Sequence, residues 1–551
     1  MLAAVLGLGL AGCAVQPKPF TLAENTTRAS LDLAALESSS PAPMKPVTLE
    51  DALARAVTYN LDNRLQMFNA ALQDRQLSLT KLDLLPSLTA NAGYVARDRD
   101  LVSSSASYAS GTIVPSNFQN VSVDRERAYG DLTLSWNIID FGVSYLQAKQ
   151  QADRVEIAKE QRRRVTNNIF QQVRSAYWTA VAAERVRPRI KPILADARRA
   201  LASSRELEKE RAQAPLEALR YQRALLELIQ ELESVDDKLS ISKTQLAQLM
   251  GLRPGTPYQL AMTNKVPPLG KLRMPVADME AIALVNRPEL REEGYNARIA
   301  QLEGKRQLLK LVPGVTLLGS LNYDSNSYLL FDSWKEGGAR VSASLIGLAS
   351  APKINKVNKA QAEIAETRRL AMTAAVLAQV QIAAQQYQIA LKNYDNARTI
   401  STINKRIAEV QQDTTDAQTT SDLSLIWEQA NAALSELGRN RSYADLQNAS
   451  AYIYVTLGLD PLTEESLTAD LDTLATAIRE REAGWRSENI PVPTLDPMPA
   501  AGDKVAAAPA KTVEQPHKPA SAEKASLDKP APAEIPATKR MAAADTGAAP
   551  Q

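Results

Sequence analysis

The chain has 551 residues, too many for one ordinary core, since single cores stop growing near ~250–300 residues. Its 64 Lys and Arg balance 62 Asp and Glu, which argues against an electrostatic nucleic-acid binder. One histidine, His517, and one cysteine, Cys13, exclude an internal disulfide, a His/Cys zinc cluster and a His-based triad, so no enzyme, metal or cofactor chemistry is expected.

Residues 2–12, LAAVLGLGLAG, form an apolar run too short to span a bilayer. They are read, with Met1, as a signal peptide over 1–12. No Lys or Arg precedes the run, so a start upstream of Met1 is expected. The run ends in Leu10-Ala11-Gly12-Cys13, which resembles the lipobox of bacterial lipoproteins. That resemblance implies lipidation of Cys13, and Ala14 after it implies outer-membrane sorting. Residues 13–45 read as a tether rich in Pro, Ser and Thr.

The body is written twice. Residues 49–94 and 277–323 align at an offset of 227, matching Asp51 to Asp278, Arg64 to Arg291 and Pro86 to Pro313. Further on the offset is 207, matching Gln222 to Gln429 and Gly251-Leu252-Arg253-Pro254 to Gly458-Leu459-Asp460-Pro461. The change of 20 residues falls between Tyr94 and about Leu132, where the first copy has a long polar loop (97–127) and the second a shorter one near 324–338. The division expected is 46–275 for the first repeat and 276–462 for the second, with a short helical extension at 463–490.

Two strands flank the loop in each copy. Leu88, Ala90, Ala92 and Tyr94 alternate with Thr89 and Asn91, and Leu132, Leu134, Trp136 and Ile138 with Thr133, Ser135 and Asn137. Val315, Leu317, Leu321 and Tyr323 oppose Thr316, Ser320 and Asn322; Val341, Ala343 and Leu345 oppose Arg340, Ser342 and Ser344. Period two gives one apolar and one polar face. A half-buried soluble sheet fits that pattern. So does a transmembrane barrel, with Leu132, Leu134, Trp136, Val341 and Leu345 toward lipid. Four strands cannot close a barrel, so the second reading needs several chains.

The remainder is long helix. Residues 143–250 hold no glycine and 350–457 only Gly438. Leu225, Leu228, Leu232, Val235, Leu239, Ser242, Leu246 and Leu249 step by three and four, a coiled-coil seam. A helix from about 144 to 210 spans roughly 100 Å. Pro188 and Pro192 each remove a backbone donor and should kink it. The helix pairs are expected to turn at Ala212–Pro215 and near Asp413–Ser421, with Ser421 or Asp422 as a cap.

At Ser135-Trp136-Asn137-Ile138-Ile139-Asp140-Phe141-Gly142, a strand ending in W-x-x-x-D-F-G and running into a long helix resembles the TolC-like outer-membrane factor family. Leu84–Leu88, Leu457–Pro461 and the duplication resemble it too, over about 46–461. The second copy departs from the D-F-G form at SLIGLASAPK, and the tip turns lack a glycine. The resemblance implies a mainly α fold with a small membrane β-barrel portion. A homotrimer would share twelve strands, continued by a periplasmic helical tunnel. It implies a passive exit duct fed by a periplasmic adaptor protein and an inner-membrane transporter. Acidic or hydrogen-bonding side chains near the periplasmic tip would form a gate, with Asp413, Asp416 and Asp422 as candidates; the other reading of these three is solvated turn residues.

Residues 491–551 hold 11 of the 30 prolines with few large apolar residues, the composition of a disordered tail. The competing reading is a lipid-anchored periplasmic coiled-coil scaffold that conducts nothing.

Overall fold

The computed structural model describes residues 17–495, apart from 104–108, 110, 112–119, 211–214, 263–268, 417–421, 463–469 and 488–489. The signal peptide, Cys13, His517, Ser421 and the tail beyond 495 lie outside the described residues.

The chain opens with α1 (Leu22–Ser39). The first copy then runs α2 (Leu49–Tyr59), α3 (Leu61–Leu82), β1 (Ser87–Ala96), a ribbon of β2 (Val102–Ser103) and β3 (Asn120–Val121), β4 (Glu126–Asn137), α4 (Ile138–Lys209) and α5 (Pro215–Leu249). The second runs α6 (Val276–Asn286), α7 (Pro288–Leu309), β5 (Gly314–Asp324), β6 (Ser333–Ser342), α8 (Leu345–Asp416) and α9 (Asp422–Thr456), followed by α10 (Leu471–Arg486). Corresponding helices have equal lengths of 11, 22, 72 and 35 residues. A 72-residue helix is about 108 Å long at ~1.5 Å per residue.

Two sequence expectations change. The stretch read as a tether contains α1, because Thr21 and Glu24 form a reciprocal capping box ahead of an Ala/Leu-rich run. Leu345, expected in the fourth strand, is the first residue of α8 and is 77% exposed. The strand ends at Ser342, and Ser344 Oγ accepts from the Gly347 N–H at 3.1 Å, starting the helix. Pro188 and Pro192 lie inside α4, which continues on both sides of them.

The four long strands form one antiparallel sheet in the order β1-β4-β5-β6. The helices follow the same order. Next to the sheet, α3 packs on α4, α4 on α7 and α7 on α8; toward the tips, α5 packs on α4, α4 on α9 and α9 on α8. One margin of the chain is therefore β1, α3 and α5, and the other is β6 and α8.

The seam expected on α5 is buried from Leu225 through Leu246, Ser242 included, against Val186, Ile190, Ile193, Ala197 and Leu201 of α4. The second core gathers Met279, Ile282, Val376, Val380, Tyr387, Leu446 and Leu457. Each return helix ends on a left-handed glycine, Gly251 at φ 71° and Gly458 at φ 70°. The following N–H closes a Schellman bond: Leu252 to Ala247 O at 2.8 Å and Leu459 to Tyr454 O at 3.1 Å. A Cβ on Gly251 would lie 2.6 Å from the Tyr59 carbonyl oxygen, and one on Gly458 2.7 Å from the Asn286 carbonyl carbon. The two copies thus repeat the same close approach.

Candidate channel surfaces

The register assigns every strand residue to a face. Leu88 faces Leu134, Ala90 faces Leu132, Leu132 faces Leu321, Trp136 faces Leu317 and Val315 faces Val341. Cross-strand partners share a face, so these residues form one continuous apolar surface. Leu132, Leu134, Trp136 and Val341 are all exposed on it, as are Leu88, Leu317, Leu321, Tyr94 and Tyr323. Trp136 meets Phe141 edge-on at 6.1 Å where the sheet passes into α4. Asn137 caps that helix, accepting from Ile139 N–H at 2.9 Å and Asp140 N–H at 3.3 Å. A Cβ on Gly142 would lie 3.0 Å from Leu309, so the motif's glycine admits α7.

The opposite face carries Thr89, Thr133, Ser320 and Glu336 in one row and Asn91, Asp131 and Asn322 in another. Asn91 Nδ2 donates to both Asp131 oxygens at 3.2 and 3.0 Å, and Thr133 Oγ1 donates to Oδ2 at 2.7 Å. One face is therefore mainly apolar, with Lys335 and the Tyr94–Glu126 hydrogen bond also on it, and the other carries most of the hydrogen-bonding side chains together with Val95 and Leu318. No helix among the described residues is long and apolar enough to cross a membrane.

The margins are apolar as well. On α3, Leu61, Leu65, Phe68, Leu72, Leu79 and Leu82 step by three and four residues, with Arg75 the one polar position, and all six are exposed. On α8, Ile400, Ile403, Ile407 and Val410 do the same, and Val357 and Ile364 lie exposed higher up. These stripes have coiled-coil spacing, and no element among the described residues covers them. The sequence reading missed both, although the spacing is legible in it. What the sequence does not give is that these stripes face outward while the one on α5 is filled by α4.

Of the tip acids, Asp413 is exposed in the last turn of α8. Asp416 ends α8 and Asp422 begins α9; their side chains, and residues 417–421 between them, lie outside the described residues. Both hairpins are tied just above the turn by an equivalent glutamine. Gln222 Nε2 donates to Glu208 Oε2 at 2.7 Å, and Gln429 Nε2 to Gln412 Oε1 at 3.0 Å.

The copies are joined by ion pairs along α4. Arg163 pairs with Glu160 and with Asp460 (2.7 Å), and donates to Gly458 O at 3.3 Å. Glu160 also takes Arg291 of α7 at 3.1 Å. On α7 the Arg306 guanidinium, with Gln150 of α4 and Gln307 as further donors, holds the Glu303 carboxyl down at about 2. Burial pushes the Tyr177 hydroxyl well above its ordinary range, and it donates to Val47 O and Ala261 O at 3.4 and 3.3 Å.

A four-stranded antiparallel sheet carried on a duplicated set of very long helices is a fold similar to that of solved outer-membrane channel proteins. Among solved structures the chain is similar to the CmeC outer membrane channel of Campylobacter jejuni, at 14% identity over 80% of this chain and 90% of that one, with a TM-score of 0.60. It is similar to the outer-membrane channel OprN at 17% identity, 74% and 89% coverage and TM-score 0.57. It is similar to the MtrE outer membrane channel of Neisseria gonorrhoeae at 15% identity, 75% and 89% coverage and TM-score 0.57. No protein-family model and no curated protein matches the chain.

Proposed function

We propose that the chain is one protomer of a homotrimeric outer-membrane exit duct, a passive conduit with no catalytic step. The observation that carries this reading is the pair of open margins. Among the described residues, the outer elements from β1 and β6 down to α5 and α8 have no packed neighbour on their outer side and expose apolar side chains. An open sheet edge is not tolerated in lipid, and four strands are too few to close. Three copies joined margin to margin make twelve strands and fill both helical seams at once. Leu132, Leu134, Trp136 and Val341 then face lipid, and the Asn91–Asp131–Thr133 face lines water.

The flanking segments extend this reading. Residues 1–12 are a signal peptide, Cys13 carries lipid at the outer membrane, and the chain reaches into the periplasm. Asp413, Asp416 and Asp422 surround the tip as a gate, where a periplasmic adaptor and an inner-membrane transporter deliver cargo for efflux or type I secretion. Support for the class of role comes from the similar solved proteins, which are outer membrane channels.

Reconstitution of the purified full chain in planar bilayers tests the duct. Discrete conductance steps from a species of three chains are expected. If Cys13→Ser instead releases a water-soluble, non-conducting protein, the scaffold reading replaces this one.

A further inference from the structure

Strand β6 is an edge of the sheet, and all 10 of its residues are exposed. It carries Lys335, Glu336 and Arg340, and none of these enters an ion pair among the described residues. Strand β4 carries Glu126, Arg127 and Asp131, the same spacing with each sign reversed. Lys335 and Glu126 lie on the apolar face, and the other four lie on the opposite face. The two β4 acids are hydrogen-bonded in their own chain but have no cation among the described residues. Tyr94 Oη donates to Glu126 Oε2 at 2.9 Å, and Asn91 and Thr133 donate to Asp131. The glycines form a second pattern. Nothing lies within 4 Å of a Cβ built on Gly338 of β6, whereas one on Gly93 of β1 would lie 2.5 Å from Cζ of the Tyr129 ring.

We infer that β6 of one copy pairs with β1 of the next in a single register, with Ala339 opposite Ala92 and Arg340 opposite Asn91, and that charge sets this register. The inference rests on the duct reading, which makes β6 and β1 the strands that meet. Strand direction alternates along β1-β4-β5-β6, so the new pair is antiparallel like the rest. Apolar faces have to match, so a row followed around one copy returns to β1 displaced by an even number of residues. The row from Asn91 runs through Asp131 and Asn322 to Trp334, which in this register meets Arg97 of the next copy, six residues on. Over three copies that displacement tilts the strands by about 45°, at ~3.3 Å per residue and ~4.8 Å per strand, the tilt of a transmembrane strand. Each β6 charge then shares a row with an opposite charge on the neighbouring copy's β4: Lys335 with Glu126 across Ala96, Glu336 with Arg127 across Val95, and Arg340 with Asp131 across Asn91. The span is about 10 Å between backbones, within the joint reach of the two side chains. Other displacements lose this match. Four residues sets none of the three against a charge, and two sets Glu336 against Asp131. Eight tilts the strands to about 54°, above the transmembrane range. The same register puts the neighbouring copy's Tyr94 opposite Gly337, and its Gly93, under the Tyr129 ring, opposite Gly338. The glycines of β6 thus leave room for two aromatic rings of the next copy.

Disulfide trapping tests the register, since directly opposite residues fall within bonding distance and those one row off do not. In a full-length Cys13→Ser background, Ala92→Cys/Ala339→Cys is compared with Ala90→Cys/Ala339→Cys after oxidation with iodine. All three positions carry alanine on an exposed face, so no core is opened. The first variant is expected to give a reducible covalent trimer and the second none. Linkage of the second in place of the first, or of neither within a species of three chains, overturns the register and leaves the duct standing. Absence of a three-chain species from the Cys13→Ser parent overturns both. A second measurement reads the charges. Arg340→Glu is expected to lower by several degrees the temperature at which the trimer dissociates in detergent, and adding Asp131→Arg is expected to restore it. A single variant as stable as wild type overturns the charge match.

Discussion

At residue scale, two glycines and one glutamate carry separate consequences. Gly251 and Gly458 sit at positive φ with a neighbouring backbone inside the space of a side chain. Gly251→Ala and Gly458→Ala are each expected to cost about 1–3 kcal/mol from backbone strain, with the contact against Tyr59 or Asn286 adding to it. Thermal unfolding in detergent checks this, and an unchanged Tm would contradict it. Glu303 titrates lower in the fold than its ordinary 4.5, so its contribution is present above that value and lost as pH falls through about 2. The Tm gap between wild type and Glu303→Gln is therefore expected to hold from neutral pH to about 5 and to close toward 2. The glycines' special role was legible as a matched motif in both copies. The Glu303 environment was not, because Arg306 is its neighbour in sequence while Gln150 arrives from another helix.

At element scale, α10 is fastened to the body by Glu482, which is 2% exposed and pairs with Arg174 of α4 and with Arg486 at 3.1 Å. Leu474, Ala475 and Ile478 bury alongside it, and α10 packs on α2. Removing the carboxylate strands a buried guanidinium, which costs about 3–5 kcal/mol for such a pair. Glu482→Ala is expected to undock α10, read as faster protease cleavage within 471–486 than in wild type. Which elements exist was largely legible from the sequence. The gap in glycine located both 72-residue helices, and alternation located β1, β4 and β5. The strand β6 was placed late because Lys335 sits on the apolar face and Trp334 on the polar one, which breaks alternation until Val341. The helix α1 was hidden by the Pro and Ser residues on either side of it, which dominate the local composition.

At the scale of the whole molecule, the proposed trimer would be held by two unlike margins, so damage to one of them would be enough to stop assembly. Ile400→Glu with Ile403→Glu places charge in the α8 stripe without touching either core. The variant is expected to keep its helical circular dichroism and lose the trimer in a mass measurement; a trimer of unchanged mass would contradict the role given to α8. That a partner was needed followed from the four strands alone. Which surfaces face it did not, since the filled seam of α5 and the open stripes of α3 and α8 have the same spacing.

The equal helix lengths carry one more consequence. With 72 residues descending and 35 returning in both copies, the two hairpins are matched in length to the residue. Excising one heptad from α4 and one from α5 would preserve the phase of every seam yet shorten that hairpin by about 10 Å. Its turn would then stand one rung above its twin, and a threefold assembly would present three long and three short teeth. In such an assembly only the same excision in both copies would restore a level rim.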